Sequence, residues 1–191
     1  MDIASALKPD VYRVTAIVLV PGFVAAAPWT AGVFWTALVS RELWQSAMVP
    51  ASVTVFAIVL ASGFILEDLG SRIEGNWADR WLRRRAPRLA SLWWRYLALD
   101  TDGQIVAQRY LRQTLIRYKF ELSMVPAGIA GTAGLITAQA LGNGLGWART
   151  LGVAAGLLLT SAICFRELRV GAVLLARVRR VVIRTCDAGK S

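Results

Sequence analysis

The chain has 191 residues, 56% of them hydrophobic and 8 of them Trp, with a formal net charge of +10. A water-soluble domain of this size has too little interior to hide that apolar surface, so composition points to a membrane protein. The absence of histidine removes the common general base, the His-containing catalytic triads and most zinc sites.

Four stretches carry no Asp, Glu, Lys or Arg: Val14 to Ser40, Leu43 to Leu66, Leu122 to Ala148, and Thr150 to Phe165. Crossing a bilayer as a helix takes about 20 apolar residues, so the first three qualify outright. The fourth is short, and it spans if Arg149 and Arg166 snorkel to opposite interfaces. The expected fold is an all-α membrane protein with four transmembrane helices over residues 14–40, 45–66, 122–142 and 149–166. A helical cytoplasmic hairpin is expected between the second and third.

In chain order, the first run begins only after MDIASALKPDVYR and is too long for a signal-peptide apolar region, so it reads as a retained span. Pro21 and Pro28 lie inside it. Each removes a backbone donor, which predicts a kink or a break into two half-helices.

After the second span, residues 67–119 form the expected cytoplasmic extension. Between Gly70 and Lys119 there are 11 Lys or Arg against four acids, a balance of +7. From Arg166 onward, 7 face two, a balance of +5, whereas the other two connections offer only Arg41 and Arg149. The positive-inside rule then places both termini and the central loop in the cytoplasm, in a multi-pass protein of the cell inner membrane. Cys164 and Cys186 lack the spacing of a disulfide framework or metal site, and the reading assigns no metal ligand and no cofactor.

Within the extension, Ile73, Trp77 and Trp81 recur at i, i+4 and i+8, predicting a helix continuing from the second span, its face interrupted near the end by Arg84 and Arg85. Pro87 ends it. Leu89, Leu92, Trp93 and Tyr96 make a stripe that suits a helix on the membrane surface. Thr101 and Gln104 resemble a capping box, where a helix restarts. Ala107, Leu111, Leu115, Tyr118 and Leu122 share a face, so this helix is expected to enter the third span without interruption.

Trp77, Arg80, Trp81, Arg83, Arg84, Arg85, Arg88, Trp93, Trp94 and Arg95 form an aromatic and basic layer. Its expected partners are anionic lipid headgroups, with a cytoplasmic protein or another anionic ligand as the alternative. No GxxxxGK is present to hold a nucleotide, and GNGLG at Gly142 to Gly146 reads as a turn. Gly128, Gly131 and Gly134 in the third span, and the GxxxG of Gly152 and Gly156 in the fourth, predict close helix packing within one chain or between chains. A homo-oligomer is therefore the expected assembly.

The concentrated reactive groups are acidic. Glu67, Ser71 and Glu74 share a helix face at i, i+4 and i+7, and Asp68, Glu121 and Glu167 fall at a similar depth. In an oligomer such carboxylates form rings that attract cations. Within one chain they form a salt-bridged girdle instead: Asp68 with Arg72, Asp79 with Arg83, and Glu121 and Glu167 with Arg117, Lys119, Arg166 or Arg169. A metal-assisted site on Glu67, Asp68, Glu74 or Asp79 is the third reading.

RIEGNWAD, Arg72 to Asp79, resembles the R-x3-N-x2-D/E element of the membrane-associated eicosanoid and glutathione metabolism family of small four-helix membrane proteins. The resemblance implies a thiol-cofactor site on Arg72, Asn76 and Asp79. It covers eight residues, and the long cytoplasmic loop departs from that family's compact plan. DLGSRIEGNWAD also lacks the full acidic spacing of phosphatidyl-alcohol transferases.

Four spans, small-residue packing, an acidic mouth and a basic cytoplasmic layer lead to the expectation of an oligomeric pore or membrane-perturbing protein controlled from the cytoplasm. The alternatives are a non-catalytic scaffold that docks a cytoplasmic partner, and a lipid-facing enzyme using the acidic site.

Overall fold

A computed structural model of the chain describes residues 15–38, 41–85, 87 and 106–188, with side chains over 15–32, 50–77, 80–84, 87 and 113–184. The described residues are helical apart from one turn, and four helices are long and apolar enough to cross a membrane. The protein is a multi-pass membrane protein.

A π-helical turn, Thr15–Leu19, leads into α1, Val20–Leu38. Helix α2 is Arg41–Ile73, followed by a second π-helical turn, Glu74–Ala78, and a short α3, Asp79–Arg85. Helices α4 and α5 are Val106–Ala140 and Trp147–Ala188. The break into half-helices expected in the first span is absent, because α1 continues through Pro28. Pro21 sits where the wider π turn gives way to α-helix, a place where the ladder is already irregular and a missing donor costs least.

Two glycines that the sequence reading passed over bring α1 onto α2. A Cβ at Gly22 would run into the Val59 carbonyl, and one at Gly63 into the Val18 carbonyl, so each helix lays backbone against the other's glycine. Helix α4 is the hub and touches α1, α2 and α5. Its glycines pack inside the chain as the spacing predicts. Gly128 meets Ser161 and Leu157 of α5, Gly131 meets the Val24 carbonyl, and Gly134 leaves room for the Trp29 indole, which donates to Ala130 O at 3.1 Å. Gly152 and Gly156 do not pack within the chain: both are exposed, and nothing lies within 4 Å of a Cβ at either.

The chain reverses between α4 and α5 through the glycine cluster. Gly142 and Gly146 have φ of 81° and 92°, in the left-handed region where a side chain is disfavoured. Gln139 closes this turn by accepting from Gly146 N at 2.9 Å and Thr150 Oγ1 at 3.0 Å.

At the opposite end, hereafter the basic end, α2, α4 and α5 come together. Leu122 and Leu168 are fully buried there with Tyr118, Ala172 and Leu175, and a deeper cluster joins Ala25, Leu66, Met124, Ala127 and Cys164. Helix α5 has 42 residues. At ~1.5 Å per residue it is about 63 Å long, twice the ~30 Å of a hydrocarbon core. The short fourth span and the basic tail are thus one continuous helix, which the charge-free stretch alone did not reveal.

The helix continues through the second π turn, and Ile73, Trp77 and Trp81 are all half-buried, with Leu82 buried after them. On α4, Tyr118 and Leu122 face inward, whereas Leu115 is exposed. The expected surface helix around Leu92, the cap at Thr101 and the side chains of Ala107 and Leu111 lie outside the described residues.

Candidate functional site

The polar belt at the basic end is built by three helices. Helix α2 supplies Glu67, Asp68, Ser71, Arg72 and, at the start of the π turn, Glu74; α4 supplies Arg117, Lys119 and Glu121; α5 supplies Arg166, Glu167 and Arg169. Gly70 makes the approach of α2 to α4 close enough for these side chains to meet, since a Cβ there would stand 3.2 Å from Leu122.

Lys119 reaches across to α2, with Nζ 2.9 Å from Glu74 Oε2 and donating to Ser71 Oγ at 3.0 Å. Of the four cations expected as partners of Glu121 and Glu167, Arg117 takes both, at 2.8 Å and 3.7 Å, while Lys119 goes to α2. Arg117 lies one helical turn from Glu121 on α4, and its exposed guanidinium spans the seam to α5. Arg72 and Asp68 pair at 2.9 Å on the outer face of α2. Arg169 sits 5.2 Å above the Trp77 ring, which in turn contacts Phe165 at 4.7 Å. A cation over an aromatic face in this setting contributes about 0.5–1 kcal/mol.

The belt therefore cancels most of its own charge. Glu121 has 9% side-chain exposure, and an ionised carboxylate so buried needs the counter-charge that Arg117 provides. Glu67 differs. It is half-buried, lies one helical turn deeper than Ser71, and makes no ion pair among the described residues.

Beside Arg117 the seam of α4 and α5 opens as a shallow groove of about 90 Å³, lined by Thr114, Tyr118, Glu121 and Glu167 on one part and Val170, Gly171 and Leu174 on the other. Gly171 keeps it open, because a Cβ would stand 2.9 Å from the Tyr118 ring. This groove and the role of Gly171 had no signature in the sequence, since they arise where parts of α4 and α5 about fifty residues apart in the chain meet.

The aromatic and basic layer divides. Trp77, expected to face lipid or a partner, is occupied internally by Phe165 and Arg169, and Trp81 is half-buried. Arg80, Arg83 and Arg84 are exposed. The side chains of Arg85, Arg88, Trp93, Trp94 and Arg95, with those of Asp79 and its expected pairing to Arg83, lie outside the described residues.

Among the described residues, no three of His, Cys, Asp and Glu come together as ligands for a metal. Arg72 and Asn76, which the eight-residue resemblance implied for a thiol cofactor, are both exposed, with Asn76 in the π turn. Comparison with protein-family models, curated proteins and solved structures finds no match.

Proposed function

We propose that the chain is a non-catalytic platform of the cell inner membrane, with both termini and the extension over residues 67–119 in the cytoplasm, that docks an anionic partner on its basic end. One observation carries this reading: which charges are cancelled and which are not. Glu74, Glu121 and Glu167 are paired within the chain, so the mouth offers little net acid to draw cations. The exposed Arg80, Arg83 and Arg84 of α3 enter no ion pair among the described residues. With the positive-inside rule, that surplus faces the cytoplasm.

Purification with a mild detergent from native membranes tests the platform. A protein partner should be retained by the unaltered chain and lost, about tenfold or more, on the triple reversal of Arg83, Arg84 and Arg85 to Glu. If reversal instead abolishes only binding to phosphatidylglycerol vesicles, the arginines serve lipid headgroups and the protein-docking reading fails.

A second reading is an oligomeric pore formed between copies, favoured by Gly152 and Gly156, which sit open on the outer face of α5. Backbones approach closely at such positions. The reconstituted protein should then leak ions at a rate altered by Glu67→Gln, and tight vesicles under all stimuli would eliminate it.

A further inference from the structure

Beyond its belt, α5 continues as an unbroken helix with a second exposed face. Arg166, Val170, Leu174, Arg177 and Arg184 are all exposed, and their spacings of 4, 4, 3 and 7 residues place them on one side of the helix. The opposite side is buried through Leu168, Ala172, Leu175, Ala176, Val182 and Ile183. Arg166, Arg177 and Arg184 enter no ion pair among the described residues. At the upper end of this face lies the groove, where Val170, Gly171 and Leu174 form an apolar notch against Tyr118.

From this geometry we infer that the α5 face is a second docking surface of the platform, apart from the α3 arginines, for an acidic amphipathic helix of a partner protein. This rests on the platform reading and names the partner's chemistry. The partner seats an apolar side chain in the Val170–Leu174 notch and aligns carboxylates, seven residues apart, with Arg177 and Arg184. That is helix-in-groove recognition, with apolar anchors for affinity and charge for register.

Two other occupants are disfavoured by position. Arg177 and Arg184 lie 11 and 18 residues past Arg166, about 16 and 27 Å along a helix rising ~1.5 Å per residue. On the platform reading Arg166 marks the inner interface, and lipid charge is screened over ~8 Å at physiological salt, which puts these two arginines beyond the headgroups. A second copy is held upright by the same membrane, and a two-fold contact through this face would set Arg177 against Arg177.

The test uses the full chain in zwitterionic nanodiscs. The probe is a synthetic helix with leucines on one stripe and glutamates repeating every seventh position, matching the Arg177 to Arg184 interval. It should bind with an affinity that falls with salt, whereas its lysine-for-glutamate counterpart and a scrambled peptide should not. Arg177→Glu with Arg184→Glu should weaken binding about tenfold or more, as should Leu174→Asp alone, while Arg83→Glu with Arg84→Glu leaves it unchanged. Both arginines are exposed, so circular dichroism should report an unaltered fold. Unchanged binding in the Arg177/Arg184 variant, or equal binding of the lysine peptide, overturns the inference. So does loss of phosphatidylglycerol-vesicle binding on the same two substitutions, or a disulfide-linked homodimer through Val170→Cys in native membranes. If the α3 arginines still retain a partner in those cases, only the α5 surface is lost and the platform stands.

Discussion

At the scale of single residues, the most consequential contact is Arg117 with Glu121. The carboxylate is buried and the arginine side chain is 71% exposed, so the pair ties a buried acid at the seam to a cation at its surface. Arg117→Met leaves that charge without its partner and should cost about 2–3 kcal/mol, held below the ~3–5 of a fully buried pair by the exposed guanidinium. Glu121→Gln should cost less, and the double variant should recover part of the loss of Arg117→Met. Equilibrium unfolding in mixed micelles checks this, and additive losses in the double variant would show that the pair is uncoupled. Local pairing was legible from the sequence here, since Arg117 and Glu121 stand at i and i+4. The route of Lys119 was not. On its own helix it neighbours Glu121, and only the approach of α2 at Gly70 brings Ser71 and Glu74 within reach.

At the scale of elements, the glycines sort into two groups by what surrounds them. Gly22 and Gly63 hold α1 against α2 with backbone in contact, so Gly63→Val should force the helices apart and destabilise the fold by about 1–3 kcal/mol or more. Gly156→Val, made where a Cβ meets nothing within 4 Å, should leave monomer stability unchanged. The same substitution should weaken self-association if copies meet there, which analytical ultracentrifugation in detergent can read separately from unfolding. Helix spacing identified the small residues of α4 correctly but gave the α5 motif no address. A GxxxG pattern licenses close approach without naming the neighbour. The π turn over Glu74–Ala78 was equally invisible, because the spacing of Ile73, Trp77 and Trp81 runs through it and still looks regular.

At the scale of the whole molecule, the unequal helix lengths matter most. Helix α1 is 19 residues while α5 is 42, so one end of the bundle stops near the glycine turn and the other projects well past the hydrocarbon. Placing that projection in the cytoplasm predicts a labelling pattern. In a chain with Cys164 and Cys186 replaced by Ser, Asn143→Cys should react with a membrane-impermeant maleimide on intact spheroplasts, and Arg84→Cys should react only after lysis. The reverse pattern would invert the topology and remove the cytoplasmic assignment of the docking face.

Hydrophobic content and long charge-free runs by themselves determined that the chain has four helices long and apolar enough to cross a membrane. A bilayer leaves so few ways to satisfy backbone polar groups that composition and length suffice. The clustering of arginines likewise set which end is basic. Tertiary structure alone decided that Glu74 and Glu167 are spent on cations from a neighbouring helix, that Gly152 and Gly156 remain open, and that the basic tail continues α5 with one face uncovered. Each of these depends on which helix lies beside which. Such outcomes follow from close approach between segments far apart in the chain, which no local spacing encodes.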